Sequence, residues 1–346
     1  MRQTRTWTLL CCVAAVPLGC NGGKDGTDPG DSAVDTSDTG DTTETGDTDT
    51  AETGDSDTGE TAETGETGTT FATVSTAADL VEATDVAADG TGIYVVGFNA
   101  DGEAAVVRID ASSGALTALF AGAPLVQPSG LALSEDGSTL YVADVAASNE
   151  VGVTNGAVYA LSTGGGPLSE LAGTGTIDLP GDVAVAHGGA SLYVSGFTTT
   201  GTPAIFTVTL AGGVSVATSG APLVEPLSLA ASPDGEYLYV VDALAGAGRA
   251  AMLRYDLPDL HGTAITTGFN ITFPGGVAVS PDSGLVYTTT IGDPALIEMS
   301  PDGTAMTVLD TMALLELPTG VSAMADGVYV TELSILGDAD LYLLSY

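Results

Sequence analysis

Residues Pro128–Asp144 read PSGLALSEDGSTLYVAD: a short apolar run, a Ser-Glu-Asp-Gly turn, and a second apolar run ending in Tyr-Val-Ala-Asp. Asp and Gly suit the turn because the first bonds its own backbone and the second takes a positive φ without strain. The phrase is therefore a β-hairpin. It returns as ATDVAADGTGIYVVGF from Ala83, PGDVAVAHGGASLYVSGF from Pro180, PLSLAASPDGEYLYVVD from Pro226, PGGVAVSPDSGLVYTTT from Pro274 and PTGVSAMADGVYVTE from Pro318. The aligned tyrosines, Tyr94, Tyr141, Tyr193, Tyr239, Tyr287 and Tyr329, stand roughly 42 to 52 residues apart, the length of one four-stranded propeller blade.

Outward from each hairpin, a third alternating strand follows, as in GAVYALS from Gly156, AIFTVTL from Ala204 and ALIEMS from Ala295. A fourth follows in SVATSG from Ser215 and AMTVLD from Ala305. Four strands per unit leave no length for a helix. The joints between units also repeat: ADLVEATDVA from Ala78 matches APLVQPSGLA from Ala123 and APLVEPLSLA from Ala221. The ordered chain thus opens near Phe71 on an outermost strand and closes on a third strand, LYLLS. The N-terminal strand is expected to complete the last blade and so cover an edge that would otherwise be open. The expected fold is all-β, a six-bladed β-propeller over residues 71–346; an open solenoid is the alternative.

What precedes the propeller is of another kind. Two arginines and the apolar run WTLLCCVAAVPL from Trp7 form the n- and h-regions of a signal peptide over residues 1–19, too short for a stable transmembrane helix. VPLGC, ending at Cys20, resembles the bacterial lipobox, with Pro17 where Leu is usual. That resemblance implies a lipidated Cys20 and a protein held on the membrane through its lipid, and Asn21 after the cysteine implies the outer membrane or cell surface. Residues 20–70 are nearly all Asp, Glu, Thr, Ser and Gly. Such a stretch has almost nothing to bury and is expected to be a disordered tether, spanning on the order of 40 Å.

The chain carries a net charge of -39. Of this, 30 acidic residues against three arginines, Arg108, Arg249 and Arg254, belong to residues 71–346. Nucleic acid is excluded as a partner, because binding phosphates needs clustered Lys and Arg. Divalent cations, cationic polymers and basic proteins are charge-compatible. All three cysteines lie in the first twenty residues, so the propeller is expected to have no disulfide and to stand on its core alone.

The pattern Pro-x-Gly-(Leu/Val)-Ala followed by Asp-Gly and Leu-Tyr-Val-Ala-Asp, carried best by Pro128–Asp144, resembles NHL-type repeats, as does AGTGTIDLPGDVAV from Ala172. It is similar also to the gluconolactonase and strictosidine-synthase-like six-bladed propellers. Gluconolactonase-like members hold a divalent metal in the central channel, partly through an Asn before the Gly-Leu and an Asp after the Tyr-Val. Here Thr84, Ser129, Gly181, Leu227, Gly275 and Thr319 occupy the Asn position, and none is a strong ligand. The third residue after each Tyr is Gly97, Asp144, Gly196, Asp242, Thr290 and Glu332, and Asp85 and Asp182 open two first strands at the same face. Asp144, Asp242, Glu332, Asp85 and Asp182 are therefore candidate ligands for Ca²⁺, which takes about six to eight oxygens. Equally, each acid after Tyr-Val can cap its own turn through backbone bonds.

No catalytic constellation is legible. His187 falls in a hairpin turn and His261 in the loop DLPDLHGTA, so neither is placed to serve a nucleophile. Trp7, the only tryptophan, leaves with the signal. The expected function is a membrane-anchored, extracytoplasmic, monomeric binding or scaffolding module for a protein, polymer or small ligand, more a binder than an enzyme. The alternative is a Ca²⁺-dependent hydrolase of lactones or esters.

Overall fold

The computed structural model of the protein describes residues 70–77, 80–147, 156–173, 175–266, 273–309, 315–333 and 339–345. The expected signal peptide, Cys20 and the expected tether, except Thr70, which begins the first strand, lie outside the described residues. Twenty-four strands form six antiparallel four-stranded sheets. Blade 1 comprises β2 (Leu80–Asp89), β3 (Gly92–Asn99), β4 (Ala104–Ile109) and β5 (Leu116–Ala121). Blade 2 comprises β6 (Pro128–Leu133), β7 (Thr139–Asp144), β8 (Ala157–Ser162) and β9 (Ser169–Ala172). Blade 3 comprises β10 (Val183–Val185), β11 (Ser191–Phe197), β12 (Pro203–Thr209) and β13 (Val214–Ser219). Blade 4 comprises β14 (Pro226–Ala231), β15 (Tyr237–Asp242), β16 (Ala251–Asp256) and β17 (His261–Ala264). Blade 5 comprises β18 (Pro274–Val279), β19 (Val286–Thr290), β20 (Ala295–Met299) and β21 (Met306–Leu309). In blade 6, β22 (Pro318–Met324), β23 (Gly327–Glu332) and β24 (Ala339–Ser345) are joined by β1 (Thr70–Ala77).

The first strand of each blade touches the first strand of the next: β2 meets β6, β6 meets β10, and so on through β22, which returns to β2. This closed cycle is the inner wall of a six-bladed β-propeller. The order β22-β23-β24-β1 puts the N-terminal strand outermost in the sixth blade, paired antiparallel from Thr70↔Ser345 to Ala77↔Ala339.

The core sits between blades. Tyr94, Val96 and Val106 of blade 1 pack on Leu131, Leu140 and Val142 of blade 2, and a corresponding apolar cluster fills each of the other five interfaces. The period-2 alternation of each strand explains this, since successive side chains enter opposite interfaces. The hairpin turns are tied by their own side chains. Ser134 Oγ donates to Asp136 Oδ1 at 2.7 Å and Ser300 Oγ to Asp302 at 2.8 Å, while Gly137 and Gly303 take φ of 69° and 71°. Hydroxyl donors hold Asp136 and Asp302 down at about 2.

Five of the six inner strands share one irregularity. Their register slips between Ala83 and Asp85, Pro128 and Gly130, Pro226 and Ser228, Pro274 and Val277, and Pro318 and Val321. Such a bulge leaves a residue unpaired and re-aims its side chain. The residue left unpaired is Thr84 in β2, Ser129 in β6 and Leu227 in β14.

Candidate functional site

Asp144, Asp242 and Glu332 end the second strands of blades 2, 4 and 6 and are almost wholly buried. Each turns back on the joint that enters its own blade. Asp144 accepts N–H bonds from Val126 at 2.7 Å, Gln127 at 3.0 Å and Ala146 at 3.0 Å. Asp242 accepts from Val224 at 2.8 Å, Glu225 at 3.0 Å, Leu244 at 3.0 Å and Ala245 at 2.8 Å. Glu332 accepts from Glu316 and from Leu317, the latter at 2.8 Å. Burial pushes Asp144 and Glu332 up, and the N–H donors pull them back. These carboxylates act as caps for loops whose N–H groups have no strand to pair with.

Asp85 and Asp182 are placed differently. Asp85 is the first paired residue after the slip in β2, Asp182 immediately precedes β10, and both reach forward to the inner strand of the next blade. Asp85 Oδ2 accepts the Leu131 N–H of blade 2 at 2.7 Å. Asp182 Oδ1 accepts its neighbour Val183 N–H at 2.7 Å, and Oδ2 accepts the Ser228 hydroxyl at 2.6 Å and the Leu229 N–H of blade 4 at 3.1 Å. Ser228, at the same position in blade 4, accepts Val277 N–H of blade 5 at 3.0 Å. The remaining blades have glycine there, and two of these glycines make room for the acids. A Cβ on Gly130 would lie 2.2 Å from Asp182 Oδ1, and one on Gly320 would lie 2.5 Å from Asp85 Oδ1. Burial, and then the charge of Asp182, pushes Asp85 well above the usual carboxylate range; burial alone carries Asp182 up to about 7 against its three donors.

One set of residues passed over as weak ligands has a definite task. Thr84 Oγ1 donates to Pro128 O of blade 2 at 3.1 Å, Ser129 Oγ to Pro180 O of blade 3 at 2.8 Å, and Thr319 Oγ1 to Ala83 O of blade 1 at 2.9 Å. Where the inner strand has glycine, at Gly181 and Gly275, the second strand supplies the hydroxyl. Ser195 Oγ reaches Leu227 O at 2.7 Å and Thr289 Oγ1 reaches Thr319 O at 2.7 Å. Five of the six inner-strand contacts are thus stitched by a hydroxyl. The sixth, from blade 4 to blade 5, has Leu227 and Val241 at the two positions and uses Ser228 instead. The signal was present in the sequence as a hydroxyl on one strand or the other, but only the pairing of the two strands makes them one position.

The five candidate carboxylates do not converge. Three belong to separate joints, two lie along the inner wall, and among the described residues no three His, Cys, Asp or Glu side chains stand together as metal ligands. Ca²⁺ needs about six to eight oxygens, whereas Asp85 and Asp182 are two groups whose oxygens already receive N–H and O–H donors. The residues present do not fit a calcium cage. His187 and His261 are both exposed.

The class is therefore that of six-bladed β-propellers. No family model and no curated protein matches the chain. Among solved structures it is similar to the calcium-binding protein regucalcin from Agrobacterium tumefaciens str. C58, with a TM-score of 0.58 and 18% identity over 80% of this chain and 95% of that one. It is similar also to the PQQ-bound aldose sugar dehydrogenase of Streptomyces coelicolor, at 0.57 and 18% over 81% and 99%. A chain of the nidogen/laminin complex matches at 0.55 and 16% over 66% and 82%. At such identities the shared feature is the fold, and folds of this kind host unrelated chemistries.

Proposed function

We propose that the protein is a lipid-anchored extracytoplasmic propeller that binds a partner and catalyses nothing. The observation that carries this reading is the contrast between inner-wall hydroxyls and carboxylates that bond backbone groups of the ring and two apolar side chains, Phe273 and Val224, that stand exposed in neighbouring joints. Leu179 and Phe273 each precede the proline that opens a blade, and both take a left-handed backbone, with φ of 46° and 50°. A bulky residue in that region is strained, and such strain clusters where a side chain must be presented. Phe273 is 59% exposed, and Val224, in the preceding joint on the same face of the ring, is 46% exposed. Thirty acids against three arginines make a basic protein or cationic polymer with apolar groups the matching partner. The complex of nidogen with laminin is one instance of this fold in a protein assembly.

The test is calorimetric titration of the protein with a Lys- and Leu-containing cationic peptide. Binding that weakens at least tenfold in Phe273→Asp, and is unchanged in Val308→Asp on the outer strand of blade 5, supports the reading. Equal loss in both variants, or turnover of lactones or aryl esters by the wild type, overturns it. The anchor has its own test: Cys20→Ala is expected to move the protein from the membrane fraction to the soluble one.

A further inference from the structure

Asp85 and Asp182 present a charge problem that the rest of the molecule leaves open. They flank one peptide: Asp85 Oδ2 bonds the Leu131 N–H, and Asp182 Oδ1 fills the space over Gly130. Both are more than nine-tenths buried. The strands packed against them hold no Lys, Arg or His. For Asp85 these are β3, β6, β22, β23 and β24, whose ionisable side chains are Tyr94, Tyr329, Glu332, Asp340 and Tyr342. For Asp182 they are β6, β7, β11 and β14, with Tyr141, Asp144 and Tyr193. Asp144 and Glu332 are turned to their own joints, and β2 itself adds only Glu82 and Asp89. Every neighbouring ionisable group is thus an acid or a tyrosine. Two like charges in a site of low polarisability, with no cation facing them, cannot both persist cheaply.

We propose that Asp85 and Asp182 form a proton-linked lock on the inner wall: one proton held by the pair closes the contacts from blade 1 to blade 2 and from blade 3 to blade 4, and its loss sets two negative charges against each other across the Gly130–Leu131 peptide. The lock is independent of what the rim binds. It makes the ring tightest in mildly acidic surroundings and loosest above neutrality. Burial gives both acids their raised proton affinity, so the contribution is complete below the ordinary carboxylate range and is lost as pH rises through about 7.

The test follows unfolding of the protein across pH 4 to 9, comparing wild type with the double variant Asp85→Asn/Asp182→Asn. The double variant removes both inner-wall acids and keeps the surface charge, so the difference from wild type isolates the pair. One linked proton corresponds to about a tenfold change in the unfolding constant per pH unit. A slope of at least that size is expected in wild type between pH 5 and 7 beyond the slope of the double variant, with the double variant more stable than wild type at pH 9. Infrared spectroscopy of wild type at pH 6 should show the carbonyl band of a buried protonated carboxyl, which requires no variant to fold. Identical slopes in the two proteins, or the absence of that band, overturns the proposal. So does a Ca²⁺-dependent rise in the wild-type melting temperature that the double variant loses, which would put a cation where we place the proton.

Discussion

Asp144 and Asp182 are the same side chain, equally hidden, in neighbouring blades, and they do opposite things. Asp144 sits at the end of a second strand and collects three N–H groups from loops with no other acceptor. Asp182 sits just before the inner strand β10 and spans two blades, facing another acid beyond Gly130. Burial raises the proton affinity of both, but Asp144 has its N–H donors against that cost and no like charge opposite, whereas Asp182 has a second acid across the peptide. Burial alone therefore says little about whether an acid stabilises a fold. The donors it meets, and the sign of its nearest charged neighbour, decide.

The comparison can be broken most severely at Asp242, which serves four residues. Asp242→Ala strands those N–H groups in a dry joint and is expected to cost roughly 3 kcal/mol in denaturant unfolding, whereas Asp182→Asn should cost nothing above pH 8. Gly130→Ala comes next. Its methyl would meet Asp182 at both Oδ1 and, at 2.6 Å, Cα, and the forced shift is expected to cost about 1–3 kcal/mol. Ser228→Ala removes a donor from Asp182 and the acceptor of Val277 N–H, for about 1–2 kcal/mol. It also raises the pH at which the inner-wall pair ionises, a shift visible in the pH profile of the melting temperature. Thr289→Val deletes one inner-wall hydroxyl and should cost about 1 kcal/mol, leaving the contact from blade 5 to blade 6 without a hydroxyl donating to the next blade's carbonyl, as in the contact from blade 4 to blade 5, where Ser228 accepts from Val277 instead. The smallest effect is expected at the fully exposed Asp302. Its hydroxyl and backbone donors lower its affinity for protons, so its contribution is present above the usual carboxylate range and fades as pH falls through about 2. An NMR titration of Asp302 should therefore run low while the wall pair runs high.

How much of this was legible depends on what each feature needs. Blade number and strand order follow from the recurring hairpin, because the turn chemistry of Ser134–Gly137 and the alternation around Tyr141 are local. The direction of Asp85 and Asp182 is not local. Both acids bond groups on the inner strand of the next blade, and nothing in PGDVAV or ATDVAA marks which residues of another repeat they meet. The glycines at 130 and 320 are legible only in retrospect, since each makes space for an acid on the following blade. Thr289 and Ser195 were invisible as inner-wall residues because they sit on second strands and stand in for Gly275 and Gly181. A single repeat shows what a position contains; only the ring shows which positions are shared.

The outermost place of β1 in the sixth blade has a mechanical consequence. Any pull delivered along the chain from residues before Thr70 enters the ring at that strand, and the seam it meets first is the antiparallel register from Thr70↔Ser345 to Ala77↔Ala339. Both ends of the described chain are clamped in one blade, so tension is met where the circle was closed, and the five remaining blades feel it only after that clasp has slipped.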